Sequence, residues 1–320
     1  MLLDIMITHW TEPWEIGKKA FDILALQRLV SWDEIRITLV HDGSEAFPDH
    51  YFKDYPYRVR QVCLPHGGIA AARNWCIENG TATWIKWCDF DDMFTCVSAL
   101  REIVNALKNA QQFDMLWFEF LWEMDGKHYR KTDRDPVLLH GKILRRSFLK
   151  EHGIRFQEYL TFCEDSAFLA LVEMEIDHQR IGQIHTEEPV YLYLVRPGSL
   201  CNRPEILFEN RMSFFQRHKY VADELRKHGQ IQESERFTVR TMGDSYLTLV
   251  EIGTDDRKQL EKHEREVWDY FKEHREEFLR VGSRSFDEVL AFVNDENQAH
   301  VTKEQLLGWI RSLRMKYEGE

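Results

Sequence analysis

The chain has 320 residues, enough for one large domain with an appendage or for two smaller ones, and enough for a substantial core. Apolar residues make up 43% and charged residues 30%, which sets disorder aside, and a formal net charge of −12 weakens non-specific attraction to nucleic acid or an anionic membrane. The start, "MLLDIMITHW", lacks the basic flank and long apolar core of a signal peptide, and no apolar run approaches the ~20 residues that span a bilayer, so a cytoplasmic protein is expected.

In chain order, residues 2–8 ("LLDIMIT") form a short apolar run, and Ile16, Ala20, Ile23, Leu24 and Leu29 then recur at near-helical spacing, predicting a strand followed by a helix. "IRITLV" (35–40) is β-branched and apolar, "RVRQVCL" (58–64) alternates, and "ATWIKWC" (82–88) is a further strand candidate. Between the last two, "GGIAAARNWCIENG" opens on glycines and closes on Gly80, the pattern of a helix with a glycine stop. Strands alternating with helices predict a mostly parallel sheet covered on both faces.

"SALREIVNALKNAQQ" is an amphipathic helix, and "FDMLWFEFLWEM" with "KHYRKTD" predicts a hairpin turning at Asp125 and Gly126. "GKILRRSFLKEHGIRF" holds a short helix stopped by Gly153, "CEDSAFLALVEME" another helix, and "QRIGQIH" and "VYLYLVR" two closing strands. From Glu205 onward the chain is highly charged with long helical periodicity, which predicts an appendage of about five helices. The expected domains are α/β over 1–204 and helical over 205–320. Six cysteines without a C-x-x-C pair read as core thiols.

Four polar clusters fall at strand ends, where open α/β sheets bind ligands: "THWTE" (8–12), "HDGSE" (41–45), "PHGGIAAARN" (65–74) and "DFDD" (89–92). Taken singly, Asp-Gly-Ser suits a turn and an Asp before a helix suits an N-cap. "DFDD" asks for more. Asp89, Asp91 and Asp92 at the end of a buried strand repel one another and raise each other's proton affinity unless a cation or hydrogen-bond donors answer them.

In this order and spacing the residues resemble family two of the inverting glycosyltransferases, enzymes of the GT-A fold. The resemblance covers roughly residues 1–200. Members show a first strand with a polar turn, a strand ending in Asp-Gly-Ser, an Asn-x-Gly-x-x-x-Ala-Arg-Asn helix start, an Asp-x-Asp-Asp strand end, a Gly-Lys-x-x-Arg-Arg-like stretch, a Glu-Asp and an aromatic-rich loop. Here "THWTE", "HDGS", "HGGIAAARN", "DFDD", "GKILRRSFLKEHGIRF", "CEDSAF" and "YLYLVRPGSL" follow in that order.

The resemblance implies a GT-A domain whose nucleotide-sugar half is 1–110 and whose acceptor half is 111–204. It makes Asp91 the leading ligand of a divalent cation, manganese or magnesium, with Asp92 as the alternative ligand or support and Asp89 facing the ribose. Oxygen ligands suit such ions, and a cation with a guanidinium stabilises a departing diphosphate. Asp42, before Gly43, matches the aspartate that meets the base, uracil most commonly. Thr8, Trp10 and Glu12 lie on the loop that packs the nucleoside, and Gly68 opens the helix that carries Arg73, the arginine directed at the diphosphate. Lys142, Arg196 and Ser199 are further diphosphate candidates. His66 stands where the family has Asn, and His41 replaces the first acid of an Asp-Asp pair.

By the same resemblance Asp165 is the general base for the acceptor hydroxyl, and Glu164 binds or orients the acceptor. The alternative for both is that acids at a helix start favour its dipole. His185 reads as structural rather than as a third metal ligand. The implied reaction is a metal-dependent, inverting transfer of one sugar from a nucleotide diphosphate, a UDP-sugar foremost, to a saccharide hydroxyl. A second acceptor class is a hydroxymethylated base in viral DNA, which needs Arg211, Arg217, Lys219, Arg226, Lys227, Arg236 and Arg240 gathered into one groove. The third reading is a non-catalytic scaffold that binds nucleotide sugar.

Overall fold

The computed structural model describes residues 1–124, 126–132, 135–195 and 206–319. Asp125 of the expected hairpin turn, and Arg196 and Ser199 of the expected diphosphate loop, lie outside the described residues. The chain divides into two compact units, Met1–Ser199 and Leu200–Glu320.

The first unit runs β1 (Leu3–His9), α1 (Trp14–Ala25), β2 (Ile35–Asp42), β3 (Val59–Leu64), α2 (Ile69–Asn79), β4 (Trp84–Asp89), β5 (Met93–Phe94), α3 (Ala99–Lys108), β6 (Met115–Trp117), β7 (Phe120–Glu123), β8 (Tyr129–Thr132), β9 (Lys142–Arg145), α4 (Arg146–Glu151), α5 (Glu164–Glu175), β10 (Ile181–Gln183) and β11 (Tyr191–Tyr193). Seven strands form the main sheet in the order β10-β6-β9-β4-β1-β2-β3. The near-continuous apolar character of β1 follows from its central place, buried on both faces between β2 and β4. All pairs are parallel except those of β9, which runs antiparallel between β4 and β6.

That strand corrects the expectation of a helix alone in "GKILRRSF". Lys142–Arg145 is too short for a period to show, and α4 follows it without a break. The predicted hairpin is present as β7 and β8, paired from Phe120↔Thr132 to Glu123↔Tyr129. It belongs to a second, four-stranded sheet, β5-β11-β7-β8. Register brings the polar clusters level: Thr8 lies opposite Asp89 on one side, and His9 lies opposite His41 on the other.

The double arginine holds this sheet to its surroundings. Arg145 donates from Nε to the Phe113 carbonyl at 2.8 Å and from Nη2 to the Ala110 carbonyl at 2.9 Å, and its guanidinium lies 4.4 Å from the Trp84 ring centre. Arg146, 6% exposed, donates to the carbonyls of Cys76, Ile77 and Ala82 and to Asp4 Oδ2 at 2.6 Å. A Cβ on residue 80 would sit 2.0 Å from the Arg146 Nη2, so Gly80 makes room for the guanidinium as well as ending α2.

The second unit is α6 (Leu207–Lys227), α7 (Ile231–Tyr246) with a π-helical extension over Leu247–Ile252, α8 (Arg257–Glu273), α9 (Arg275–Arg280), α10 (Ser283–Asn297) and α11 (Lys303–Glu318). The helical stretch 257–280 is divided at His274 into α8 and α9. Its own core is built from residues such as Val239, Met242, Trp268, Phe271, Val293 and Leu306. A capping box starts α11, where the Thr302 side chain accepts from the Gln305 backbone and Gln305 answers in return.

Replacing Arg146 with Met keeps bulk but leaves Asp4, fully buried, without its closest cation. The expected loss is about 3–5 kcal/mol of unfolding free energy by denaturant titration. A loss below about 1 kcal/mol would show that Arg146 does not hold β1 and α2 together.

Candidate active site

At the carboxyl ends of β1 and β2, two imidazoles meet. His9 Nδ1 lies 2.9 Å from His41 Nδ1, His9 Nε2 lies 2.8 Å from the Glu12 carbonyl, and His41 Nε2 lies 3.0 Å from Gln61 Oε1. Gln61 also accepts from the Phe47 amide and donates to the Phe47 carbonyl, which fixes its orientation. Three contacts therefore ask for an N–H, and two neutral rings carry two. A third, shared proton would satisfy all three, but burial opposes it: both rings are held below the ordinary histidine range, His41 at about 4.

Asp42 is buried, and both its oxygens are engaged by the next loop. Oδ1 accepts from the Gly67 amide at 2.7 Å, and Oδ2 accepts from the Gly68 amide at 3.0 Å and His66 Nδ1 at 2.8 Å. Gly43 has φ 79°, and a Cβ there would meet the His66 Cβ at 2.5 Å, so this approach requires glycine. The His66 ring stacks on Trp10 at 5.3 Å, and Glu12 Oε2 accepts from the Trp10 amide at 3.1 Å. Trp10 is 43% exposed, which leaves an aromatic surface beside the loop.

At the end of β4 the acids separate by environment. Asp92 is 1% exposed; Oδ2 accepts from the Tyr191 hydroxyl and Oδ1 from the Leu194 amide, both at 3.0 Å. Burial, and then Asp89 and Asp91, push its proton affinity well up. Asp89 keeps a 27% exposed side chain and bonds Arg73 Nη2 through Oδ1 at 3.0 Å; burial works against its charge, and Arg73 overrides this and holds its pKa below the usual range. Asp89 and Asp92 offer ligand atoms within 4.8 Å of one another and of a third donor, His140. Asp91 is half-buried and not among them.

Arg73, on α2, is the centre of the site. Besides Asp89 it donates from Nη1 to Glu164 Oε1 at 2.6 Å, and its guanidinium lies 5.5 Å from the Phe156 ring centre. Burial penalises the charge, but Asp89, Glu164 and Asp165 together keep Arg73 protonated. Burial and then Asp165 push Glu164 up to about 7 against the pull of Arg73; Asp165 is also raised, chiefly by burial. These acids open α5 directly after Cys163, a non-glycine residue at φ 65°. Backbone strain of that kind costs roughly 1–3 kcal/mol and collects at functional sites.

Lys142 was expected near the diphosphate, but its ammonium is held by the carbonyls of Asp135 and Leu138 and lies 4.6 Å from the Trp117 ring centre. Burial brings it down to about 8. The histidine beside the acids is His140, stacked on Tyr193 at 4.4 Å, while His185 is exposed. Sequence reasoning also missed Lys86, which is fully buried in β4 with Nζ 4.2 Å from the Tyr191 ring centre; burial lowers its proton affinity, against the opposing pull of Cys88, Asp92 and Asp89. Its signal was available: a lysine in the middle of "WIKWC" has no apolar reason to be there.

A family model described as glycosyl transferase family 2 matches residues 5–178. The chain belongs to glycosyltransferase family 2. The uncharacterized glycosyltransferase EpsJ of Bacillus subtilis (strain 168) is 24% identical over 216 residues, 58% of this chain and 59% of that protein, so the chain spans about three-fifths of that relative's length. S. aureus TarS 1–349 in complex with UDP-GlcNAc superposes with TM-score 0.66 at 14% identity, over 100% of this chain and 93% of that one. Mannosyltransferase PcManGT from Pyrobaculum calidifontis, in complex with GDP-Man and Mn2+, gives TM-score 0.50 at 12% identity, over 99% and 88%. These likenesses give this glycosyltransferase family 2 chain a GT-A fold.

The histidine pair makes a signed statement about acid stability. A histidine whose folded pKa is depressed adds stability that is complete above its unfolded value of 6.5 and is lost as pH falls toward its folded value, here about 4 for His41. Raised carboxylates such as Glu164 act in the opposite direction, so a difference between two proteins isolates the histidine. Between pH 6.5 and 4 the wild type should lose more stability than His41→Asn, measured as unfolding midpoints at several pH values; parallel curves would refute it.

Proposed function

We propose that this chain transfers one sugar from a nucleotide diphosphate donor, a UDP-sugar foremost, to a saccharide hydroxyl with inversion at the anomeric carbon. The observation that carries the reading is the buried Arg73, which joins Asp89 at the donor end of β4 to Glu164, the neighbour of Asp165, at the start of α5. One guanidinium thus links the side where a diphosphate would sit to the side where an acceptor would be deprotonated. Neighbours of the same fold bind UDP-GlcNAc, UDP, or GDP-Man with Mn2+, which supports a nucleotide-sugar donor.

In this reading Trp10 and His66 offer a stacked platform beside the nucleoside, and Thr8, Glu12, Gly43 and Gly68 shape the loop around it. Asp42, expected at the base, holds the His66–Gly68 loop in place. A divalent cation fits the carboxylate-rich end of β4, and the imidazole of His140 among the donors favours manganese over magnesium. Asp91, on the same turn, is assigned as the leading ligand, and Asp92, clustered with Asp89 and His140 and accepting from Tyr191 and Leu194, is its alternative or support. When bound, the ion would neutralise charge on the leaving diphosphate.

The acceptor oxygen attacks the anomeric carbon as the bond to the diphosphate oxygen breaks, and its proton goes to the Asp165 carboxylate. The raised proton affinity of Asp165 suits that task, and the Ser166 amide, donating to Oδ1 at 2.7 Å, orients it. Glu164, anchored by Arg73, positions the acceptor. The alternative acceptor, DNA, is disfavoured by the helical unit: Arg226 pairs with Glu277, Lys227 with Glu224, Arg236 with Glu288 and Arg240 with Glu296, which leaves fewer cations for a phosphodiester backbone.

Asp165→Asn keeps shape but removes the proton acceptor. Transfer should fall about 10²- to 10⁴-fold while UDP-sugar affinity stays near wild type. Transfer at the wild-type rate, or a product with the donor's anomeric configuration, would sink the mechanism. Asp91→Asn should remove most of the thermal stabilisation that manganese adds to UDP-sugar binding; unchanged manganese dependence in the folded variant would reject Asp91 as a ligand.

A further inference from the structure

A groove of about 910 Å³ lies far from the site described above, at the opposite end of the same strands. Its walls include Ile35 and Val59, the first residues of β2 and β3, whereas the donor loops leave the last residues of those strands. At about 3.3 Å per residue, the eight residues of β2 put roughly 25 Å between the two. A donor bound at Asp89 cannot occupy it.

The lining has a definite chemistry. Trp32, Tyr55 and Tyr57 form an aromatic cluster, with Trp32 4.7 Å from Tyr57 and Tyr55 stacked on Tyr57 at 5.4 Å. The tyrosine hydroxyls are tied down: Tyr55 donates to Asp22 at 2.9 Å and Tyr57 to the Phe21 carbonyl at 2.6 Å. The rings are therefore held in place before any ligand arrives, which lowers the entropy lost on binding. The indole N–H of Trp32 has no partner among the described residues.

The charge is as informative. Four cations (Arg36, Lys53, Arg58 and Arg60) line the groove against two carboxylates, Asp33 and Asp49, on a chain whose formal net charge is −12. Elsewhere the surplus of acids finds cations readily, as in Lys18–Asp22, Arg155–Glu78 and Arg280–Glu235. Lys53 and Arg58 are exposed and make no ion pair or hydrogen bond among the described residues, and Arg60 has only the Trp75 ring at 5.2 Å. Unpaired cations on an acidic protein, beside the partly exposed rings of Trp32 and Tyr55 that pack on buried Tyr57, fit a ligand that carries both negative charge and the apolar faces of sugar rings.

We propose that this groove binds an anionic saccharide, a part of the acceptor chain several sugar units away from the hydroxyl that reacts. The assignment rests on the saccharide-acceptor reading above. The distal contact would hold a chain on the enzyme while its end is exchanged at Asp165, and its affinity would fall with salt.

The test is a binding titration, which needs no turnover. An oligogalacturonate of about ten units serves as the anionic probe, and a maltooligosaccharide of equal length as the neutral one. The oligogalacturonate should bind at low salt, weaken with added salt, and lose about tenfold or more in affinity in both Arg58→Glu and Lys53→Glu. Trp32→Ala should weaken it too, and the neutral chain should bind at least about tenfold less tightly. UDP-sugar stabilisation in the presence of manganese should stay as in wild type in Arg58→Glu, which separates failure here from failure of the donor reading. Equal binding of charged and neutral chains, no effect of either charge reversal in folded protein, or tighter binding of UDP than of saccharide at an Arg58-sensitive site would each overturn the assignment.

Discussion

A single buried guanidinium sets the terms for the rest of the site. Arg73 is 4% exposed, and a cation so far from water is tolerated only if carboxylates and hydrogen-bond acceptors surround it. Asp89 and Glu164 do this from two different segments, so the end of β4 and the start of α5 are drawn to the same point on α2. The same charge sorts the acids. Asp89 stays below the usual carboxylate range, while Glu164 and Asp165, where burial prevails over Arg73, rise above it. Groups that differ in proton affinity within one cluster are what an acid–base reaction needs.

The motif residues fall into two kinds. Arg73, Asp89 and Glu164 meet one another in the proposed active site. Arg145, Arg146, Gly80 and Asp92 keep the architecture: the two arginines tie backbone carbonyls together, Gly80 leaves space for one of them, and Asp92 joins β4 to the second sheet through Tyr191 and Leu194. Asp42 stands between the kinds, since its carboxylate organises the His66–Gly68 loop. A short motif therefore mixes residues of the proposed site with residues that hold backbone segments together, and its spelling alone does not separate them.

Two of the acids of "DFDD", Asp89 and Asp92, have partners inside the protein. Arg73 meets Asp89, the Nδ1 of His140 lies 3.4 Å from Asp92, and the Lys86 ammonium is buried in the same strand. Charge is handled differently elsewhere. In the helical unit most long cations are matched with acids across or along helices, whereas the groove at the amino ends of β2 and β3 leaves two unmatched. Such matched surface pairs add little stability each, so their effect is mainly to keep that face from attracting polyanions.

The sequence by itself determined the alternation of strands and helices, the change to a helical carboxyl-terminal region, and the polar clusters at strand ends, because apolar periodicity and glycine stops act over a few residues. It also carried Arg73, Asp89, Glu164 and Asp165 as members of ordered motifs. It did not show β9, whose four residues are too few for a period, nor which acid of "DFDD" is buried. Tertiary structure alone decided that His140, 51 positions from Asp89, stands beside the acids, that Lys142 turns to the carbonyls of Asp135 and Leu138, and that His9 faces His41. The reason is physical: whether a charge is paired, buried or exposed depends on groups brought close by folding from far along the chain, and no local pattern records that distance.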